Sequence, residues 1–303
     1  MTTNSNKVWN LPEPHQTVDV QVDEDTKITL RRHGNPDGPR LVLSHGNGLA
    51  IDLYYPFWSL LLDDFDLVIY DLRNHGWNRV TSMKNHTMPD FASDHDLVVD
   101  GIDRLFGAKP KIGVYHSVSA LAMLLTPNKG AQFDGWVLFD PPLCKPGRSY
   151  FDFDEVAESV ATLARQRAAR FNTLEDLSSI LPYLPNFQKV VPGLPDLFVR
   201  TTLRTTDDGS GFQLRCPREY EAQIIEYASV YAVLINFASY ECPMKVIGAD
   251  PTLPYSYLPT LDLSDAIGVD YDFLPEATHF LQLEQPEECV ETMLEFVDPI
   301  LRP

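Results

Sequence analysis

The feature that most constrains this chain is a set of short, continuous apolar runs spaced along it, each ending in polar residues. Residues 41–43 (Leu-Val-Leu), 67–70 (Leu-Val-Ile-Tyr), 111–115, 136–139 (Trp-Val-Leu-Phe) and 244–247 (Met-Lys-Val-Ile) are such runs. Each is too short for a helix and does not alternate, so it reads as a strand covered on both faces. Between them lie segments with helical spacing, such as 54–62 and 88–106, the latter with Phe91, Leu97, Val98, Ile102 and Leu105 on one stripe. Strand and helix in alternation predict an α/β fold with a doubly wound, mostly parallel sheet. Two alternating segments at 17–22 and 27–30 predict an antiparallel pair before it. A strand at 269–273 and helices at 258–267 and from Pro286 onward complete the pattern, the last burying Val290, Met293, Leu294 and Val297.

The middle of the chain differs. From 143 to 240 no buried strand is evident, and two stripes predict helices: Val156, Val160, Leu163 and Ala164, then Tyr220, Ile224, Tyr227, Tyr231 and Leu234. The expected organisation is a core of residues 1–142 and 241–303 with a helical insertion at 143–240. The length of 303 residues allows this, and 44% hydrophobic with 22% charged content is ordinary for a soluble protein.

A net charge of −19 argues against a nucleic-acid partner and against an anionic membrane surface. No signal-like segment or span of ~18 apolar residues is present. Cys144, Cys216, Cys242 and Cys289 show no metal-type spacing and read as reduced thiols. The expectation is a cytoplasmic protein without membrane attachment, metal or cofactor.

In a parallel sheet, chemistry collects at the C-terminal ends of the strands. The run at 111–116 leads through Ser117 into an apolar helical segment, the outline of a strand–turn–helix elbow. Nucleophilic catalysis by serine needs a base, an acid to orient it and donors for an oxyanion. Ser117, Asp250 and His279 each follow a predicted strand, in that order. Position 115, two before the serine, is a tyrosine where a small residue is expected.

These segments resemble the α/β-hydrolase family. His45-Gly46-Asn47-Gly48 is similar to its His-Gly loop, Asp71 to Gly76 to its D-x-R-G-H-G turn, and His116 to Ala120 to its H-S-x-G-G elbow. Thr278-His279-Phe280 with Glu284 to Glu287 resembles its C-terminal histidine segment. The resemblance implies Ser117 as nucleophile and His279 as general base. It implies Asp250 as the acid, although Gly248-Ala249-Asp250 is one residue shorter than the family's G-x-x-D, with Asp140 as the alternative. The backbone amides of Asn47 and Val118 would form the oxyanion hole, with the Asn47 side chain as a further donor. His45, His75 and His116 are expected to be structural, and Asp94-His95-Asp96 a solvated helix start. The insertion would be a helical cap between the sixth and seventh strands.

The implied activity is hydrolysis of an ester-type bond (carboxylic ester, thioester or lactone) in a small, largely apolar substrate. Carbon–carbon bond hydrolysis on the same residues and a non-catalytic ligand-binding role are the alternatives.

Overall fold

Alternate residues of each apolar run enter two different cores, which is why the runs are continuous. Leu41, Leu43, Leu67, Ile69, Val114, Val137 and Phe139 face one side, while Val42, Val68, Tyr70, Tyr115, Trp136 and Leu138 face the other. The computed structural model describes residues 7–144, 146–240, 242–253 and 269–301. Among these, eight strands form one sheet: β1 (Gln16–Gln21), β2 (Lys27–Gly34), β3 (Arg40–Ser44), β4 (Asp66–Tyr70), β5 (Lys111–His116), β6 (Gly135–Phe139), and then β10 (Met244–Gly248) and β11 (Asp270–Phe273). Their order is β1-β2-β4-β3-β5-β6-β10-β11. β2 pairs antiparallel with both β1 and β4, and every later pairing is parallel. The expected helix at 258–267 lies outside the described residues.

Helices cover both faces. α1 (Tyr55–Trp58), flanked by single 3-10 turns, packs on the first side with α8 (Leu281–Glu284) and α9 (Pro286–Leu301). α2 (Met88–Phe106) and α3 (Val118–Leu124) cover the second. A reciprocal capping box of Thr87 and Asp90 starts α2. Its buried face uses Phe91, His95, Val98 and Ile102, whereas Leu97 and Leu105 are exposed. No helix among the described residues is long and apolar enough to cross a membrane.

Between β6 and β10 the chain leaves the sheet as α4 (Arg148–Gln166), α5 (Glu175–Ser178), α6 (Leu194–Thr202) and α7 (Arg218–Ala232). It also contains a small sheet, which the sequence did not reveal: β7 (Arg170–Phe171), β8 (Leu203–Thr205) and β9 (Phe212–Leu214), ordered β7-β9-β8. These strands have two or three residues each, too few to carry a periodic signal. The α4 and α7 stripes hold in part, with Ala164 and Ile224 buried. Val156 and Leu163 are 46% and 65% exposed, and Tyr227 and Leu234 also face out. The buried seam is made of Phe153, Ala157, Ala161 and Ala164 on α4, and Ala222, Ala228 and Ala232 on α7. Small residues at helical spacing let the two backbones approach closely along most of this seam.

At the lower edge of the sheet, fully buried Asp66 gathers three cations. Arg32 donates at 2.6 and 3.1 Å, Arg40 at 3.1 and 2.9 Å, and the Lys109 ammonium lies 3.1 Å away. Burial alone would raise the Asp66 pKa, but the hydrogen bonds from Arg32, Arg40 and Lys109 outweigh it and hold the carboxyl below its ordinary 3.8. Its stabilising contribution is therefore complete above pH 3.8 and is lost as pH falls through the lower folded value. Asp66→Ala would strand Arg40 in the interior and is expected to cost ~3–5 kcal/mol. Urea unfolding at neutral pH measures this, and a loss below ~1 kcal/mol would contradict it.

Candidate active site

At the end of β5 the chain turns sharply through Ser117, at φ 54° and ψ −120°, directly into α3. A non-glycine residue there costs on the order of 1–3 kcal/mol. Four hydrogen bonds hold it. The Ser117 amide donates to the Phe139 carbonyl at 2.9 Å, and the Leu121 amide donates to the Ser117 carbonyl at 3.0 Å. Ser119 Oγ accepts from the His116 amide at 3.1 Å and donates to the His116 carbonyl at 2.9 Å. The small residue expected two after the serine thus fastens the turn.

Tyr115, the misfit of the motif, is fully buried. Its ring folds back over Gly113 on the same face of β5; a Cβ at Gly113 would stand 2.4 Å from Tyr115 Cε2. There it meets His95 edge-on at 5.2 Å between centroids and Phe133 at 6.4 Å. The ring points into the core under α2 and α3, so the elbow stays open because a glycine two residues earlier leaves the space.

The loop after β11 brings His279 to the serine. Glu284 anchors this loop by accepting from the Thr278 amide at 2.7 Å and the Thr278 hydroxyl at 2.5 Å. His279 Nε2 lies 2.9 Å from Ser117 Oγ, and His279 Nδ1 lies 2.5 Å from Asp140 Oδ2. An ionised carboxylate only accepts, so Nδ1 carries the proton and Nε2 is left to accept from the serine hydroxyl. Asp140 follows β6 with φ 39° and is fully buried. Its amide donates to the Ile247 carbonyl at 2.9 Å, and its Oδ1 accepts from the Ala249 amide at 3.1 Å. Neighbouring strand β10 therefore orients this carboxylate.

The expectation for Asp250 is corrected. Asp250 Oδ1 accepts from the Thr252 amide at 2.8 Å and its hydroxyl at 2.6 Å, while Oδ2 accepts from the Glu276 amide at 2.7 Å. These bonds, that from the Thr252 side chain foremost, hold its pKa below the usual carboxylate value. The Gly248-Ala249-Asp250 turn is one residue short, so the carboxylate meets the start of the histidine loop and braces it. The acid beside His279 is Asp140.

In the loop after β3, most amides are committed. The Gly46 amide donates to Tyr54 Oη at 3.1 Å, the Gly48 amide to His75 Nε2 at 3.0 Å, and the Leu49 amide to the Gly46 carbonyl at 3.3 Å. Among the described residues no acceptor pairs with the amides of Asn47 or Val118. One donor of the Asn47 side chain is committed: its Nδ2 donates to the Glu221 carbonyl on α7 at 2.8 Å. The Glu221 carboxylate, ion-paired with Arg167, presses on Gly48, 2.5 Å from where a Cβ would stand. Burial raises the Glu221 pKa against the pull of Arg167. α7 thus forms a roof over this loop, and Tyr220 and Gln223 bond the carbonyls of Thr81, Met83 and His86 below. No sequence signal distinguished Glu221 or Tyr54, each of which lay inside a segment read only as a helix.

The other histidines hold loops. His45 Nδ1 donates to the Gly46 carbonyl at 2.7 Å and its Nε2 accepts from the Leu72 amide at 3.1 Å. His75 Nδ1 donates to the Arg73 carbonyl at 2.9 Å. Burial keeps both pKa values below 6.5. The segment Asp94-His95 is not solvated. Asp94 makes a buried two-armed ion pair with Arg73, and its pKa is pushed up to about 6 by burial. His95 Nδ1 meets the Tyr70 hydroxyl at 2.8 Å.

The solved structure of E-2-(acetamidomethylene)succinate hydrolase superposes with TM-score 0.73 at 16% identity, covering 93% of this chain and 99% of that one. A thioesterase domain from the curacin biosynthetic pathway gives TM-score 0.69 at 14% identity, with 92% and 98% covered. A thermophilic esterase from Thermogutta terrifontis gives 0.65 at 16%, with 94% and 99% covered. At such identities the likeness concerns the fold. Among curated sequences, the protein named "Probable oxidoreductase EphD" in Mycobacterium tuberculosis and Mycobacterium bovis is 36% identical over 81 residues, 26% of this chain. That match spans only 14% of the length of those relatives. Residues 41–292 match the family model described as "Alpha/beta hydrolase family". With that match running from β3 into α9, over most of the eight-stranded sheet and the whole insertion, the chain belongs to the alpha/beta hydrolase family.

Proposed function

We propose that this protein is a serine hydrolase that cleaves an ester-type bond of a small, largely apolar substrate through an acyl-enzyme. The observation that carries the reading is the unbroken chain from Ser117 Oγ to His279 Nε2 at 2.9 Å and from His279 Nδ1 to Asp140 Oδ2 at 2.5 Å. In this reading Ser117 Oγ attacks the carbonyl carbon while His279 Nε2 takes its proton. Asp140 holds the imidazole in the accepting tautomer and stabilises the imidazolium that forms. The amides of Asn47 and Val118 receive the oxyanion, each such donor being worth roughly 3 kcal/mol in the transition state. His279 then protonates the leaving group, and water, activated by the same imidazole, releases the acyl group. Val118, directly after the serine, belongs with Leu143 and Ile224 to the apolar cluster on the α2–α3 side of the sheet. Tyr115 and the short turn before Asp250, which would favour a non-catalytic ligand-binding protein, each have a structural reason given above.

Incubation with a fluorophosphonate probe tests the reading. The expected result is a single covalent adduct, located by mass spectrometry on the peptide containing Ser117, with parallel loss of para-nitrophenyl butyrate hydrolysis. Equal labelling rates in wild type and Ser117→Ala would end it.

A further inference from the structure

Three segments of the site meet at a side chain that the proposed reaction does not use. His116, one residue before the serine, is fully buried, as is Tyr54 in the turn before α1. The Tyr54 hydroxyl lies 2.6 Å from His116 Nδ1, and His116 Nε2 lies 2.8 Å from the His279 carbonyl oxygen. The polarity of this chain is fixed by its two ends. At one end the Gly46 amide can only donate, at 3.1 Å, so Tyr54 Oη accepts there and directs its own proton elsewhere. At the other end the His279 carbonyl can only accept, so His116 Nε2 carries the imidazole proton and Nδ1 accepts from Tyr54. One neutral imidazole satisfies every partner, and burial agrees by driving the His116 pKa well below 6.5. Gly46 leaves room for the contact, since a Cβ there would stand 2.9 Å from His116 Nδ1 and 3.3 Å from Tyr54 Oη.

We propose that Tyr54 and His116 are positioning residues that lock the His279 backbone to the Gly46–Asn47 loop, fixing the base and the oxyanion donors in one register. The inference rests on the serine-hydrolase reading. The loop carrying His279 and the loop carrying Asn47 come from opposite ends of the chain, and this relay ties both to the residue preceding Ser117. The rings of His116 and His279 lie 4.7 Å apart between centroids. A neutral His116 also leaves His279 free to become a cation beside it, which a second imidazolium would oppose.

The test measures steady-state hydrolysis of para-nitrophenyl butyrate by the full chain. Tyr54→Phe keeps the ring and deletes the hydroxyl. His116→Leu removes both ring nitrogens, and His116→Gln restores a donor near the Nε2 position. The expected result is a kcat lower by roughly tenfold to a hundredfold in Tyr54→Phe and His116→Leu, with KM within about twofold, and recovery of most of that loss in His116→Gln. A kcat within about twofold of wild type in both Tyr54→Phe and His116→Leu, with Ser117→Ala inactive, would overturn the relay and leave the serine reading standing. A loss that His116→Gln does not recover, or that falls equally on KM, would mark a packing role and also overturn it. Wild-type turnover in Ser117→Ala would overturn both together.

Discussion

Ser117→Ala is expected to lower kcat for ester hydrolysis by about a millionfold, and Ser117→Gly to do the same while yielding a more stable protein. The first part follows from the 2.9 Å approach of His279 Nε2, which has no proton to take once the hydroxyl is gone. The second follows from the backbone. At φ 54° and ψ −120° a Cβ is strained whether it belongs to serine or alanine, but glycine adopts this conformation freely. Ser117→Gly should therefore exceed Ser117→Ala in unfolding free energy by ~1 kcal/mol, less any entropy the more flexible unfolded glycine takes back. Steady-state kinetics and urea unfolding check the two halves. Equal or reversed stability would show that the elbow stores no strain, and retained turnover would remove the serine from the reaction.

Asp140→Asn is expected to reduce kcat roughly ten-thousandfold, whereas Asp250→Asn should keep kcat within about tenfold. An amide at position 140 would present an N–H to His279 Nδ1 as readily as an oxygen, allowing the tautomer in which Nε2 carries the proton and cannot accept from Ser117. Among the described residues the Asp250 carboxylate meets the histidine loop at the Glu276 amide, so its loss should loosen that loop and lower thermal stability more than turnover. Parallel kinetics and melting curves separate the two. A larger kcat loss in Asp250→Asn than in Asp140→Asn would return the acid role to Asp250.

The two aspartates show where a linear pattern stops being informative. Both end neighbouring parallel strands, β6 and β10, and both precede a proline. Family spacing favours the one after β10, with a shortened turn as the only warning. What decides between them is reach. Asp140 sits in a left-handed conformation with the Ala249 amide holding one carboxylate oxygen, so the other oxygen meets the imidazole. Asp250 lands on backbone amides that the sequence cannot place. Tyr115 carries the same lesson. Its ring violates the small-residue rule of the elbow, and the compensation is Gly113, whose significance depends on which face of β5 both share. In the insertion, the largest apolar residues drew the helical stripes of α4 and α7, but alanines, with Phe153 near the start of α4, form the seam.

The sequence by itself determined the parallel sheet, because strands buried on both faces need continuous apolar runs. It also determined the loops in which Ser117, His279 and Asn47 stand, because tight turns at strand ends restrict residue choice. Only the tertiary structure decided which carboxylate reaches His279, that Glu221 roofs the Asn47 loop, and that Tyr54 and His116 join Gly46 to His279. Apart from Gly46 and Tyr54, which are eight positions apart, those contacts join residues from 62 to 174 positions apart. They depend on a few ångströms of side-chain reach, and no local periodicity or turn preference encodes such distances.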